Sequence, residues 1–381
     1  MKKTLATTVP AALIALGLAS VASAEIKIGA SVSATGPAAF LGDPEAKTLE
    51  MLVEEINAKG GINGEKIELV LYDDGGDPNK ARTFATRLIE NDEVQAIIGG
   101  STTGTSMSIL SVAEDAEIPF ISLAGAIDIV QPVKPYTFKT PHTDRMACQK
   151  IFEDMQKRGI ETIGMISGTD GFGASMQAQC KDVAGEYGIK IAADETYDPK
   201  DADMTAQLTK IRNTEGVQAV LNPGFGQGPA IVTRNYRQLG IELPLYQSHG
   251  VASDGFIELA GKDAVEGVRL PGTALLVADL LAEDDPQKPV VMAYKTAYEE
   301  RHNEPVSTFG GYAHDGFALL VDALTRAGSA EPEAIRDALE ATSALVGTTG
   351  VYTMSAEDHL GLDLSAFRML EVKGGTWSLV E

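Results

Sequence analysis

The chain is sparing with the residues that most often announce an activity. It holds two cysteines, one tryptophan and five histidines in 381 residues. His142, His249, His302, His314 and His359 never fall at the H-x-x-x-H spacing that lets one helix face grip zinc, so no metal site is expected. Positive charge is short as well: 31 Lys and Arg stand against 54 Asp and Glu, and the formal charge of −23 disfavours nucleic acid and anionic lipid as partners. Beyond the first 24 residues no apolar run approaches the length of a membrane span. No cysteine precedes Cys148, which excludes a lipid-attachment cysteine near the N-terminus.

Enzyme motifs are missing too. There is no G-x-S-x-G nucleophile elbow. The glycines of "GTDGFGAS" miss the dinucleotide spacing G-x-G-x-x-G, and a tight strand-to-helix turn explains them. "DDGGDP" at residues 73–78 lacks the calcium-loop spacing and its closing Glu, which leaves a turn followed by a helix cap. "QAIIGGSTTGTSMSIL" has the glycine-rich turn and helix start of a phosphate cradle, but Thr105 and Ser106 follow Gly104 where a P-loop needs its lysine. A singly charged anion such as a carboxylate, held by Thr102, Thr103 and nearby amides, suits this loop better; a plain N-cap without ligand is the alternative. No enzyme and no cofactor are expected.

What is present begins with "MKKTLATTVPAALIALGLASVASA", in which two lysines, an apolar run and the triplet Ala22-Ser23-Ala24 mark a secretory signal peptide over residues 1–24. Its removal takes the formal charge from −23 to −25 and places the mature chain in the periplasm. In that oxidising compartment Cys148 and Cys180 either pair or remain two buried thiols.

The mature sequence alternates β-branched runs with helical segments, the α/β signature. One series holds "IKIGAS", a helix over residues 46–59, "KIELVLYD", a helix over 78–90, "QAIIGG" and "IPFISL"; a second series from "ETIGMIS" to "EGVRLPG" repeats the plan. Two doubly wound parallel-sheet lobes follow, with ligand-binding loops at the strand ends. These loops carry Phe172, Phe225 and His249, each of which serves either ligand contact or packing.

Several stretches together, "GPAAFLGD", "EEINAKGGINGEKIELVLYDDGGDP", "IIGGSTTGTS", "GTDGFG" and "STFGGYAHDG", are specific enough to name a likeness. Over essentially its whole mature length the chain resembles the substrate-binding proteins of branched-chain amino-acid-type ABC importers, type I periplasmic binding proteins. The resemblance implies two lobes joined by a three-stranded hinge, with residues 25–140 and 272–348 in one and 141–271 and 349–381 in the other, crossing near Thr140, Gly272 and Thr348. It implies a monomer that closes over a small carboxylate and delivers it to a membrane permease.

Carried over, the family's carboxylate hydroxyl falls on Thr103, its main-chain contacts near Ala124 and Ala126, and its aromatic walls on Phe172, Phe225 and Phe309, with Leu41 or Phe40 in the first loop. Two departures stand out: a ligand-binding threonine of the family is Ala126 here, and the acidic residue that pairs with a ligand ammonium is His249. An aromatic acid of the benzoate, hydroxybenzoate or cinnamate type therefore fits better than an amino acid, with a branched-chain amino acid or amide in another pose as the alternative. A ligand sensor acting through a separate receptor is a further reading.

Overall fold

The structure, a computed structural model, describes residues 25–380, so the expected leader lies outside the described residues. Strands β1 (Ile26–Val32), β2 (Ile67–Asp73), β3 (Ala96–Gly99), β4 (Phe120–Ser122) and β5 (Thr137–Lys139) form a parallel sheet in the order β2-β1-β3-β4-β5. β6 (Thr162–Gly168), β7 (Lys190–Tyr197), β8 (Ala219–Asn222), β9 (Leu245–Gln247) and β10 (Arg269–Gly272) repeat that order as β7-β6-β8-β9-β10. β11 (Leu345–Val346) and β12 (Val351–Tyr352) pair with each other, while β13 (Arg368–Lys373) and β14 (Thr376–Leu379) extend the second sheet antiparallel at β10. The central strands, such as "AIIG" of β3, are buried along their whole length because helices cover both faces, which is why they read as unbroken apolar runs.

Leu49 and Val53 bury one face of the first helix as its periodicity requires, but that helix spans Ala39–Ala58 and begins well before residue 46. Pro44 lies inside it: a proline in the opening turns forfeits one amide bond, and the packed face outweighs that loss. Phe40 and Leu41, expected in a loop, therefore ride on its first turn. The helix Lys288–His302 has no counterpart in the sequence reading; Val291, Tyr294 and Tyr298 form its buried stripe, and the two phenols are satisfied by Thr48 and Glu304, each at 2.7 Å. Cys148 and Cys180 form a disulfide between the helices Asp144–Lys157 and Gly171–Val183, with a Cα separation of 5.1 Å, which settles the two alternatives for the cysteines.

The chain passes between the two sheets after β5, after β10, and between β12 and β13. Residues 274–298 pack with the core of the second sheet before the helix Thr308–Ala327 joins the first. Tyr352 and Met354 belong to the first core and Leu360 and Phe367 to the second, so the last passage falls later than Thr348. Asp315 explains the delay. Buried in the helix Thr308–Ala327, its carboxylate accepts from the amides of Thr348 (2.7 Å) and Thr349 (2.8 Å) and from the Tyr352 hydroxyl (3.1 Å), which fastens residues 348–352 to the first body.

Replacing Asp315 by Ala strands these donors in the interior, so the unfolding free energy should fall by about 3 kcal/mol or more. Urea unfolding followed by circular dichroism checks this; a loss below about 1 kcal/mol would show the network to be dispensable.

Candidate functional site

Because both sheets share one strand order, their carboxyl edges can face each other, and a cavity lies between them. The first body contributes Ser101, Thr102 and Thr103 after β3, Leu123, Ala124 and Gly125 after β4, Leu41 from the first helix, and Phe309 and Tyr312 from the helix Thr308–Ala327. Phe172 after β6, Phe225 after β8, and His249 and Gly250 after β9 close it from the second, and Pro141 lines it from the first passage. No lining side chain is formally charged apart from the titratable His249.

Thr102 and Thr103 divide the work of their loop. Thr102 caps the helix Thr103–Asp115: its hydroxyl accepts from the Thr105 amide at 3.2 Å, and the Thr105 hydroxyl accepts in return from the Thr102 amide at 3.0 Å. The Thr103 hydroxyl, buried against the cavity, has no partner among the described residues. The plain N-cap is thus Thr102, expected as a ligand contact beside Thr103, while the Thr103 hydroxyl stays open to the cavity. Behind them, Ser101 accepts from the Ser33 amide at 2.8 Å and donates to Glu45 at 2.5 Å. Burial holds the Glu45 carboxyl well above the usual range; the Ser101 bond opposes this, and nearby Asp74 adds to it.

The loop after β4 departs from expectation. Ala126 does not line the cavity: the chain turns there into the short helix Ile127–Ile129, Ile127 donates to Asp144 at 3.0 Å, and Ala126 is drawn into the core beside Ile129. The Ala124 amide is spent on the Ser122 hydroxyl at 3.2 Å, whereas the amide of Gly125 has no partner among the described residues. Gly125 was not singled out in the sequence, yet a Cβ there would lie 2.8 Å from the Phe172 ring and 2.9 Å from His249 Nε2, so only glycine permits this approach of the two bodies.

His249 opens the short helix His249–Val251, capped by Ser248, whose hydroxyl accepts from the Gly250 amide at 3.1 Å. Its ring sits edge-on to Phe172 at 5.3 Å and to Phe367 at 5.5 Å, and neither nitrogen has a partner among the described residues. Burial, helped by the charge of Lys139, pulls its pKa down to about 3, so the imidazole is neutral, with one donor and one acceptor to offer. Phe225 meets Phe172 at 6.2 Å, and Phe40 packs edge-on to Phe309 at 5.6 Å just outside the cavity, so Leu41 is the lining residue of that pair. Tyr312, missed in the sequence because it reads as one more apolar residue of a helix face, brings a second buried hydroxyl without a partner among the described residues.

The family model for periplasmic binding proteins matches residues 25–376. The chain belongs to the type I periplasmic binding proteins of the branched-chain amino-acid kind. It is 27% identical over 339 residues to the leucine-, isoleucine-, valine-, threonine- and alanine-binding protein of Pseudomonas aeruginosa, with 87% of each chain covered. An extracellular ligand-binding receptor from Rhodopseudomonas palustris HaA2 is 30% identical, with a TM-score of 0.87 over 94% of this chain and 100% of that one. A branched-chain amino acid transporter substrate binding protein from Streptococcus pneumoniae, solved in complex with isoleucine, is 24% identical with a TM-score of 0.82 over 94% of this chain and 99% of that one, a likeness of fold. Among the described residues of this binding protein no helix is long and apolar enough to cross a membrane.

With its pKa near 3, the His249 ring should show no titration between pH 5 and 8 in histidine-selective NMR spectra, with His249→Gln supplying the assignment. Since an unfolded histidine titrates near 6.5, this group's contribution to stability is lost as pH falls from about 6.5 towards 3. A ring titrating near 6.5 would contradict the burial.

Proposed function

We propose that this chain is the solute-binding component of an ABC importer, a periplasmic monomer that holds a small aromatic carboxylate between its bodies and presents it to a membrane permease. The observation that carries the reading is the cavity itself: walls of Phe172, Phe225, Phe309 and Leu41, unpartnered hydrogen-bonding groups on Thr103, Tyr312 and His249, and no acidic side chain in the lining. An α-ammonium would lose its water there without gaining a carboxylate. A carboxylate can instead take the Thr103 hydroxyl, the Gly125 amide and the start of the helix Thr103–Asp115, all neutral donors from the first body. The ring then lies among the phenylalanines, and His249 meets a distal hydroxyl from the second body. On this reading the open form binds through the first body, and closure brings Phe172, Phe225 and His249 over the solute.

Relatives described as amino-acid-binding proteins favour a second reading, a branched-chain amino acid. The ammonium would then depend on Glu45, which reaches the lining only through Ser101.

Calorimetric titration with leucine, benzoate, 4-hydroxybenzoate and 4-coumarate separates the two. An aromatic acid should bind at least about ten-fold more tightly than leucine, and His249→Glu should weaken that acid about a hundred-fold by setting a carboxylate against it. Tight leucine binding with every aromatic acid ignored would overturn the reading.

Gly125→Val tests closure separately. Its side chain would occupy the space of Phe172 and His249, so the compaction that solute produces in small-angle X-ray scattering should disappear while the thermal midpoint of the solute-free protein is kept. A variant that still compacts would show that the bodies do not close through Gly125.

A further inference from the structure

Next to the cavity-lining segments lies a buried ammonium that forms no ion pair among the described residues. Lys139 ends β5 and is fully buried, and its Nζ donates only to main-chain carbonyls, that of His142 at 3.3 Å and that of Ala126 at 3.5 Å. Two long bonds to carbonyls serve an ammonium with three protons poorly. The carboxylate whose charge bears on it is Asp144, but no ion pair joins the two among the described residues. Asp144 is occupied elsewhere, accepting from the amides of Ile127 (3.0 Å) and Arg145 (2.9 Å) and from the Ser175 hydroxyl. Both carbonyl partners of Lys139 adjoin the cavity: Ala126 follows the lining residue Gly125, and His142 follows the lining residue Pro141.

We propose that Lys139 is the counter-cation of the bound carboxylate, acting through the cavity wall without touching it, and that solute binding draws a proton onto it. The inference rests on the carboxylate reading above and adds the group that makes the site prefer an anion to a neutral or cationic solute. Burial holds the Lys139 ammonium down to about 7, with Asp144 opposing, so in the empty site it is only partly charged at neutral pH. The other ionisable neighbours do not neutralise it. His142 and His249 have rings kept neutral by burial, Arg368 adds positive charge that bears on His142, and the His359 carbonyl accepts from the Lys139 main-chain amide at 3.2 Å while its own ring faces Thr137 and Glu340.

The sign follows from linkage. A negative charge placed nearby raises the pKa of a cation, so binding takes up a proton, and affinity is greatest below pH 7 and declines as pH rises through and beyond it.

Calorimetry of benzoate, 4-hydroxybenzoate, 4-coumarate and leucine in phosphate and in Tris, whose ionisation heats differ, counts the protons. Uptake of roughly half a proton or more is expected at pH 8 and almost none at pH 5.5, with Kd rising roughly ten-fold from pH 6.5 to 8.5. Lys139→Arg keeps the charge and does not titrate in this range, so it should retain binding at pH 6.5 while losing both the proton uptake and the pH dependence. The wild-type buffer series decides the matter even if that variant fails to fold. An aromatic acid that binds with equal heat in both buffers and a flat Kd overturns the role of Lys139 and leaves the functional reading standing. If leucine alone binds, with proton uptake, the aromatic reading fails and Lys139 keeps its role. Binding of no carboxylate at all overturns both.

Discussion

A buried wall that leaves hydrogen-bonding groups without partners among the described residues is the constraint on which this molecule turns. Each such group costs about 1–3 kcal/mol against solvation in water, and three side chains, Thr103, Tyr312 and His249, contribute to one cavity. The first two belong to one body and the third to the other. A solute that satisfies both sides at once would favour such an arrangement, and on the proposed reading closure is conditional on solute.

The twofold repeat of strand order is what gives that constraint its geometry. In a sheet ordered β2-β1-β3-β4-β5 the loops beyond β1 and β3 part at the switch point and leave a crevice, and the second sheet does the same beyond β6 and β8. Set edge to edge, the crevices merge. Helix starts from both bodies then meet across the cavity: a Cβ at Gly171, the first residue of its helix, would lie 3.6 Å from the Thr103 side chain. Asp170 caps the second of these starts, with both its bonds to the amides of Phe172 and Gly173 at 3.0 Å, and Thr102 caps the first. With the caps in place, the Thr103 hydroxyl and the Gly125 amide are left without partners among the described residues.

Much of this was legible in the sequence, and the misses have physical causes. The repeated α/β plan, the strand-end loops and the residues Leu41, Thr103, Phe172, Phe225, His249 and Phe309 could be placed because apolar runs, glycine turns and the family likeness all act locally. Ala126 was misplaced because its direction is set by a distant partner: the Asp144 carboxylate pulls the chain inward at Ile127. Tyr312 was missed because a buried tyrosine on a helix face looks like core until its hydroxyl is found unpaired. The last passage came later than Thr348 because Asp315, more than thirty residues away, fastens that segment. The structure overturned the reading where a long-range polar contact outweighed local pattern.

An uncharged wall need not mean an indifferent field. Two ionisable groups stand one layer back, Glu45 behind Ser101 and Lys139 behind Ala126 and His142. Their environments push them towards opposite roles. Glu45 shares its surroundings with Asp74, whose carboxylate is itself fixed by the Ser31 and Ser33 hydroxyls at 2.9 and 2.7 Å, so burial and like charge together favour a protonated, neutral Glu45. Lys139 has no comparable cation forcing it neutral and has Asp144 in its favour, so it keeps part of its charge at neutral pH. In a low-dielectric interior a charge acts over several ångströms, so on the proposed reading Lys139 can favour an anion from behind a wall that stays apolar.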